Sequence, residues 1–85
     1  MWAVVYTAEA AKNLLRIGNS TARRIRAKVL VLAADPLRPN NNVKKLAGVE
    51  SYRLRVGDWR VIYTLKHQAL TVIVVKIGHR GSVYE

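Results

Sequence analysis

Arginines alternate with apolar residues between positions 52 and 63, where the sequence reads YRLRVGDWRVIY. Because the side chains of a β-strand point to alternate faces, a two-residue turn at positions 57–58 would place three arginines on one face of a hairpin: Arg53, Arg55 and Arg60. Arg55 would lie directly opposite Arg60, and like charges in that position repel each other. Guanidinium groups bind phosphate oxygens through paired hydrogen bonds. The spacing therefore indicates a site for a phosphate anion.

A second explanation of the arginines stays open, because Arg and Lys on solvent-facing strands also protect a sheet against aggregation. The opposite face of the hairpin is wholly apolar or aromatic and is expected to cover the core: Tyr52, Leu54, Val56, Trp59, Val61 and Tyr63. The arginine face is expected to continue into apolar residues of the last strand, at Ile73, Val75 and Ile77. A face that is cationic at one end and apolar at the other favours a binding surface.

The residues after the last predicted strand are the next candidates for chemistry. Positions 78–84 read GHRGSVY and follow that strand directly. If the second turn lies at positions 67–68, Arg60 and Val75 are cross-strand neighbours. His79 and Arg80 would then bend back toward the arginines, whereas His67 would be a surface residue of the turn.

Residues 1–17 predict a strand followed by a helix. Residues 2–6 are rich in β-forming side chains, and Thr7 is a good N-cap for a helix over residues 8–17. This helix is expected to bury Ala11, Leu14 and Leu15, which share a face at i, i+3 and i+4. Gly18 is a natural C-cap and ends the helix.

A second helix is predicted to begin after Ser20, which is a natural N-cap. Its apolar stripe is expected to face the core: Ala22, Ile25, Val29, Leu32 and Ala33. Three basic side chains are expected on its solvated face: Arg23, Arg24 and Lys28. Asp35-Pro36 ends the helix, because a residue that precedes proline is disfavoured in the α region.

The second half of the chain predicts a loop over residues 36–50 and then three strands, at 51–56, 59–66 and 69–77. The loop contains Lys44 and Lys45. The order β-α-α-β-β-β predicts an α+β fold, in which a helical hairpin packs on one face of an antiparallel-dominated sheet. Residues 1–85 are expected to form a single domain.

Composition limits the class of function. The 85 residues include no cysteine, 15 Lys and Arg, and 5 Asp and Glu, which gives a formal charge of +10. Without cysteine the chain has no disulfides, thiolate metal ligands or thiol nucleophile. The charge points to a polyanionic partner. No signal sequence and no apolar segment of about 20 residues is recognisable, so we expect a cytoplasmic protein without a membrane contact.

The sequence resembles the RelE/ParE toxin superfamily. The resemblance rests on YRLRVGDWRVIY, on Gly48, and on IGHR at 77–80 with Val83-Tyr84. It also includes the first strand, the helical hairpin and Asp35-Pro36, and so spans nearly the whole chain. It implies the RelE-like microbial RNase fold. In the RelE branch it implies a ribosome-dependent endoribonuclease that cuts mRNA in the ribosomal A site. The ParE branch poisons DNA gyrase on the same fold.

The resemblance also implies roles for individual residues. Arg53 and Arg55 match basic residues that position RNA phosphates, and Arg60 matches a transition-state arginine. Arg80 matches a basic residue after the last strand, and Tyr84 a tyrosine that stacks on or activates the nucleotide. His79 lies where some relatives carry a catalytic histidine. Two further residues are candidates for RNA contact in the loop beside the cluster: Lys44 and Lys45. The chain departs from the best-known members in having arginines at positions that are lysine there.

Metal-free RNA cleavage needs a base for the 2′-OH, an acid for the leaving 5′-oxygen and cations for the charge that builds up on the phosphate. Arginine stays protonated and is a poor base. The proton transfers are therefore assigned to His79, to Tyr84 or to groups of the RNA. Histidine titrates near pH 6.5 and suits this task at neutral pH. Five scattered carboxylates and two histidines predict no metal site, and no cofactor is expected.

The sequence is thus interpreted as the toxin of a type II toxin–antitoxin pair and as a metal-independent endoribonuclease. Its expected partners are an acidic antitoxin, similar to RelB, and mRNA on the 70S ribosome. Two alternatives remain: a ParE-like gyrase inhibitor without catalytic activity, and an inactive relative that only binds RNA. The antitoxin is expected to neutralise the arginines.

Overall fold

The computed structural model describes residues 1–47 and 50–80. Its elements are β1 (Ala3–Tyr6), α1 (Ala8–Arg16), α2 (Asn19–Ala34), β2 (Val43–Lys45), β3 (Ser51–Val56), β4 (Trp59–Lys66) and β5 (Thr71–His79). The strands form one sheet in the order β1-β5-β4-β3-β2. Only β1 and β5 are parallel, and the other neighbours are antiparallel. The predicted α+β class is confirmed, and the segment predicted as a loop contains one additional short strand, β2.

The helical hairpin begins as the sequence predicts but turns differently between its helices. The Thr7 hydroxyl accepts a hydrogen bond from the N–H of Ala10 at 3.1 Å and caps α1. Gly18 has a φ of 90°, a conformation that glycine adopts without strain, and it directly precedes the first residue of α2. Ser20 therefore lies inside the first turn of α2, and its prediction as N-cap is wrong. The helix ends at Ala34, before Asp35-Pro36, as predicted.

The two helices differ in how well their buried faces could be predicted. All five residues of the predicted α2 stripe are buried. In α1 the buried pair is Ala10 and Leu14, whereas Ala11 is exposed and Leu15 is 84% exposed. The prediction was wrong for the last two because an i, i+4 pair meets the sheet in this short helix and its neighbours point away.

The β3–β4 hairpin has the register that the sequence predicts. Tyr52 pairs with Tyr63, Leu54 with Val61, and Arg55 with Arg60. Gly57 has a φ of 59°. Asp58 has a negative φ: among the described non-glycine residues, a positive φ occurs at Leu70 alone. This combination is the type II′ turn that matches the twist of two antiparallel strands.

The β4–β5 pairing differs from the prediction. The turn contains four residues rather than two, since Lys66 pairs with Thr71 and Leu70 adopts a φ of 47°. A β-bulge then adds one residue to β5, because Ile62 pairs with Lys76 whereas the next residue of β4 pairs with Val74. The longer turn and the bulge together shift the register by three residues.

This shift corrects two predictions about β5. Arg60 pairs with Gly78 and not with Val75. Ile77 pairs with Val61 and is buried in the core, 2% exposed, whereas the sequence placed it on the arginine face. Ile73 stays on the arginine face, opposite Thr64.

The N-cap residue of α1 and one side chain within α1 hold the bulged strand in place. The Thr7 hydroxyl donates to the carbonyl oxygen of Val75 at 2.7 Å, so the extra residue of the bulge keeps a hydrogen-bond partner. Beyond the end of β1, the side-chain oxygen of Asn13 accepts from the N–H of Ile77 at 2.9 Å. One residue, Thr7, thus fixes both the start of α1 and the position of the bulge.

The core lies between the helices and one face of the sheet, and it includes Ile25 and Val29 of α2 and Val61 and Tyr63 of β4. Tyr63 is 1% exposed, and its ring stacks on that of Tyr52 with centroids 5.4 Å apart. Burial, reinforced by Tyr52, raises the pKa of Tyr63 well above its usual value. Neither described helix has the length and apolar character needed to cross a membrane.

Candidate nucleic-acid interface

A cleft of about 670 Å³ opens between α2, the turn of the β3–β4 hairpin and the end of β5. Five basic side chains line it and define what we call the cationic cleft: Arg24, Lys28, Arg55, Arg60 and Arg80. Asp58 is the only carboxylate among its described lining residues. The cleft therefore has the charge of an anion-binding site.

The hairpin turn fixes the guanidinium group of Arg60. Its Nη1 donates to the carbonyl oxygens of Gly57 at 3.2 Å and of Trp59 at 3.1 Å. Within residues 1–47 and 50–80, its Nε and Nη2 hydrogens have no hydrogen-bond partner. Arg60 is therefore positioned by one side of its fork and can offer the other side to an anion.

Arg55 is held beside Arg60 by the segment that precedes β2. Its N–H donates to the carbonyl oxygen of Asn42 at 2.8 Å, and its Nη2 lies 3.4 Å from the side-chain oxygen of the same residue. Because Arg55 and Arg60 are direct cross-strand partners, their Cβ atoms are expected about 5 Å apart. Two guanidinium groups thus approach the cleft from adjacent strands.

The end of β5 returns to the same turn. The N–H of Arg80 donates to the carbonyl oxygen of Asp58 at 2.8 Å, and the Arg80 side chain lines the cleft with Arg55 and Arg60. Residues at positions 55, 60 and 80, which are distant in sequence, meet because the type II′ turn and the end of β5 are joined by this backbone hydrogen bond.

Two cleft residues come from α2, where the sequence predicts a solvated helix face that is also open to contact with ribosomal RNA. Arg24 and Lys28 are exposed, as predicted, but they also line the cleft. Arg24 lies so close to the hairpin turn that a Cβ atom at Gly57 would be 3.0 Å from its Nη2. Their i, i+4 spacing beside the buried stripe is the signal that could have placed them together at the edge of the sheet.

His79 lies apart from the cationic cleft. It pairs with Trp59 across the β4–β5 ladder, so both side chains are on the face of the sheet opposite to Arg60. The two rings meet edge to face with centroids 5.3 Å apart. The Nδ1 atom of His79 is 3.3 Å from the carbonyl oxygen of Arg80. His79 is thus adjacent in sequence to a cleft residue without lining the cleft itself.

The outer face of the sheet carries further basic residues in one cross-strand row. Lys44 pairs with Arg53, Arg53 with Ile62, and Ile62 with Lys76. We call Lys44, Arg53 and Lys76 the outer row; neighbouring strands are about 4.8 Å apart. Sequence reasoning missed Lys76 because the bulge turns it outward. Lys45 pairs with Tyr52 and therefore belongs to the other face.

Little negative charge balances these cations. The only ion pair among the described residues joins His67 to Glu50 at 2.7 Å, and both of these side chains are about half exposed. His67 also contacts the ring of Trp2, with centroids 5.6 Å apart. No cluster of three potential metal ligands occurs in the described part of the chain. Gly48, Val83 and Tyr84, which contributed to the predictions, lie outside the described residues.

The structure is thus a small α+β fold that carries a cationic cleft between α2 and the β3–β4 turn. A family model described as "ParE toxin of type II toxin-antitoxin system, parDE" matches residues 4–84, and the chain therefore belongs to this family of ParE toxins. The predicted membership of the RelE/ParE toxin superfamily is confirmed. No curated protein matches the sequence.

Solved structures of RelE toxins share the fold. The RelE–RelB complex of the archaeon Pyrococcus horikoshii contains a chain that is 27% identical, with a TM-score of 0.80 and coverage of 96% of this chain and 98% of that one. The isolated RelE toxin of Escherichia coli is 19% identical, with a TM-score of 0.79 and coverage of 94% and 85%. The RelBE2 toxin–antitoxin complex of Mycobacterium tuberculosis contains a chain that is 22% identical, with a TM-score of 0.80 and coverage of 93% of this chain and 98% of that one.

Proposed function

We propose that this toxin is a ribosome-dependent endoribonuclease that cleaves mRNA in the ribosomal A site. The observation that carries the proposal is the cationic cleft, in which five basic side chains converge and none is paired with a carboxylate of the described residues. Such a site matches the phosphodiester of RNA, whose charge increases in the transition state of cleavage.

In the proposed reaction the 2′-oxygen attacks the adjacent phosphorus, and the bond from phosphorus to the 5′-oxygen breaks. The products are a 2′,3′-cyclic phosphate and a 5′-OH, and one proton passes from the 2′-OH to the leaving oxygen. Arg60 and Arg80 stabilise the charge on the phosphate, and Arg55 positions it. The reaction needs neither a metal ion nor a cofactor.

The proton transfers require a group other than the arginines, since these stay protonated. His79 and Tyr84 are the candidates that this chain offers. Because His79 lies against Trp59 and outside the cleft, the proposal favours Tyr84, or a group of the RNA, over His79. His79 would then position the end of β5 through its ring contact.

The outer row extends the proposed RNA contact beyond the scissile phosphate. Arg53 and Arg55 lie on the same face of β3, about 7 Å apart along the strand. Arg53 thus places the outer row next to the cleft. The row crosses four strands, from Lys44 on β2 to Lys76 on β5. It supplies sequence-independent contacts to the RNA backbone. Lys45, on the opposite face, is left with no such role in this proposal.

The proposed protein partner is an acidic antitoxin, and the proposed location is the cytoplasm, where ribosomes are. The similar archaeal and mycobacterial structures are toxin–antitoxin complexes. With a net charge of +10, the toxin complements an acidic segment that would occupy the cationic cleft and exclude RNA from it.

A second candidate function is inhibition of DNA gyrase without catalysis, which the match to the ParE family model favours. In this case the same basic surface would bind gyrase or its DNA. One fold hosts both activities, so an assay must distinguish them.

The test is to incubate the purified toxin with programmed ribosomes and to map the 5′ ends of the mRNA. We expect cuts at A-site codons that the R60A/R80A variant no longer makes. The R16A/R23A variant is the matched control, because it loses two arginines that do not line the cleft. Intact mRNA together with inhibited supercoiling in a parallel gyrase reaction would replace the nuclease proposal by the second candidate.

A further inference from the structure

The cationic cleft adjoins a second cavity. This cavity, of about 560 Å³, lies between the end of α2 and the segment that leads to β2, and we call it the loop pocket. Four residues line both cavities: Val31, Leu32, Asn40 and Asn42. Because they share these walls, the two cavities lie side by side, and we refer to them together as the groove.

The two ends of the groove differ in chemistry. The loop pocket has one basic and one acidic lining residue, Arg38 and Asp35, and is therefore close to neutral. Its walls combine apolar surface from Val31, which is 72% exposed, and Pro39 with the side-chain amides of residues 40–42. A strongly cationic end joined to a neutral end of apolar surface and amides matches a nucleotide, in which a phosphate is joined to a planar, hydrogen-bonding base.

The loop that forms the pocket is held by hydrogen bonds of its own. The N–H of Asn42 donates to the side-chain oxygen of Asn40 at 2.8 Å, and the N–H of Val43 donates to the carbonyl oxygen of Asn40 at 3.0 Å. The carbonyl oxygen of Asn42 accepts from Arg55, so the loop is tied to the cleft. The side-chain oxygens of Asn40 and Asn42 thus have contacts within the protein, which leaves their amide N–H groups as donors for a ligand.

We propose that the loop pocket binds the nucleobase next to the phosphate that the cationic cleft holds. The base packs on Val31 and Pro39, and the amides of Asn40 and Asn42 donate to its carbonyl oxygens or ring nitrogens. The inference rests on the proposed function and adds a site that selects the base beside the scissile phosphate. It assigns base selectivity to a loop that follows α2 rather than to the arginines.

The proposal can be tested without cleavage, by NMR titration of the whole toxin with inorganic phosphate and with the four nucleoside 3′-monophosphates. We expect phosphate to shift the amide signals of Arg55, Gly57 and Arg80. The nucleotides should shift these and also the signals of Asn40 and Asn41. One nucleotide should bind about tenfold more tightly than phosphate, because a pair of hydrogen bonds to a base edge contributes that much.

A variant that fills the pocket supplies the second measurement. Ala34 is exposed, ends α2 and lines only the loop pocket, so A34W should remove the tenfold preference and leave phosphate binding unchanged. A27W is the matched control, because Ala27 is exposed on the same helix and lines neither cavity. Backbone spectra of both variants check that they fold.

The outcomes separate the inference from the function on which it rests. If nucleotides bind no better than phosphate and shift only the cleft signals, the nucleobase site is refuted and the phosphate site stands. If neither probe shifts the cleft signals, the phosphate site and with it the proposed function fail. If A34W leaves the nucleotide preference intact, the base binds elsewhere and the proposal is wrong.

Discussion

Removing one arginine of the cross-strand pair should stabilise the free toxin while weakening its binding to RNA. Arg55 and Arg60 are direct partners on adjacent strands. Two unit charges about 5 Å apart in water repel by about 0.8 kcal/mol, and cross-strand pairs contribute about 0.2–1 kcal/mol. Arg55 is exposed and has one weak side-chain contact, at 3.4 Å, so little is lost with it. We expect Arg55→Gln to raise the free energy of unfolding by about 0.5 kcal/mol at low salt.

The assay is urea unfolding at two salt concentrations. The Debye length, within which two charges still interact, is about 30 Å at 0.01 M salt and about 3 Å at 1 M. The gain in stability should therefore be present at the lower salt concentration and absent at the higher one. The matched variant is Arg23→Gln, which removes an exposed arginine that does not line the cleft and is expected to be neutral. RNA binding measured in parallel should weaken for Arg55→Gln alone.

One result would refute this reasoning. If Arg55→Gln is less stable than the parent protein at low salt, then Arg55 contributes to folding, for instance by protecting the edge of the sheet. In that case the arginines are explained by their contribution to the stability of the fold, and their grouping is no longer evidence for a binding site. A gain that persists unchanged at about 1 M salt would mean that the repulsion is not its cause.

Four further predictions concern the fold and the outer row. Thr7→Ala should lower the free energy of unfolding by about 2–3 kcal/mol in urea titrations, because the cap of α1 and the partner of the bulge carbonyl are lost together. Thr7→Ser should retain both contacts. A loss below about 0.5 kcal/mol for Thr7→Ala would contradict this prediction. Leu70→Asn should raise the melting temperature and stabilise by about 1 kcal/mol, since asparagine tolerates the positive φ better; no gain would show that the turn is unstrained. The pKa of Tyr63 is raised in the folded state, so above about pH 10 the unfolded chain releases the phenolic proton while the folded chain keeps it. The contribution of Tyr63 to the free energy of unfolding is therefore complete below that pH and falls as the pH rises further. Tyr63→Phe should therefore show a weaker alkaline loss in unfolding curves between about pH 9 and 11, and an unchanged loss would assign it to other groups. Lys76→Gln should reduce the slope of log affinity for single-stranded RNA against log salt concentration by about 0.7. Lys66→Gln is the control and should leave the slope unchanged, because Lys66 lies on the same face of the sheet but four residues along β4 from Ile62, the position that pairs with Lys76. Equal effects of the two substitutions would mean that the outer row has no specific role in binding RNA.

The sequence allowed the β3–β4 hairpin to be predicted because every signal there is local. A strict period of two and a Gly-Asp turn are sufficient to set the register and to separate the arginine face from the core face. The second helix was predictable for the same reason, since its stripe is regular and Asp35-Pro36 ends it. Both predictions depend on residues close together in the chain.

The β4–β5 register could not be predicted, because its determinants are tertiary. Leu70 carries no turn signal, yet its positive φ extends the turn by two residues. The bulge at Val75 is compensated by Thr7, 68 positions away, and no local pattern reports that contact. This one shift in register explains why the sequence placed Ile77 on the wrong face of the sheet and why it did not place Lys76 on the outer face. The cleft was incomplete in the prediction for a similar reason, since Arg24 joins it only when α2 packs beside the hairpin turn.

The same tertiary assembly explains why the folded toxin carries repulsion between its cations. Arg24 from α2, Arg60 from β4 and Arg80 after β5 are far apart in an unfolded chain and come together when the cleft forms. Folding therefore concentrates five positive charges beside one described carboxylate, Asp58, with which none of them forms an ion pair, and the free toxin bears the resulting repulsion. Under the proposed function, an RNA phosphate or an acidic antitoxin segment would relieve that repulsion on entering the cleft, and a ligand that binds only the folded state stabilises it. Both should thus raise the stability of the toxin more at low salt than at high salt, and they should compete for the same five side chains.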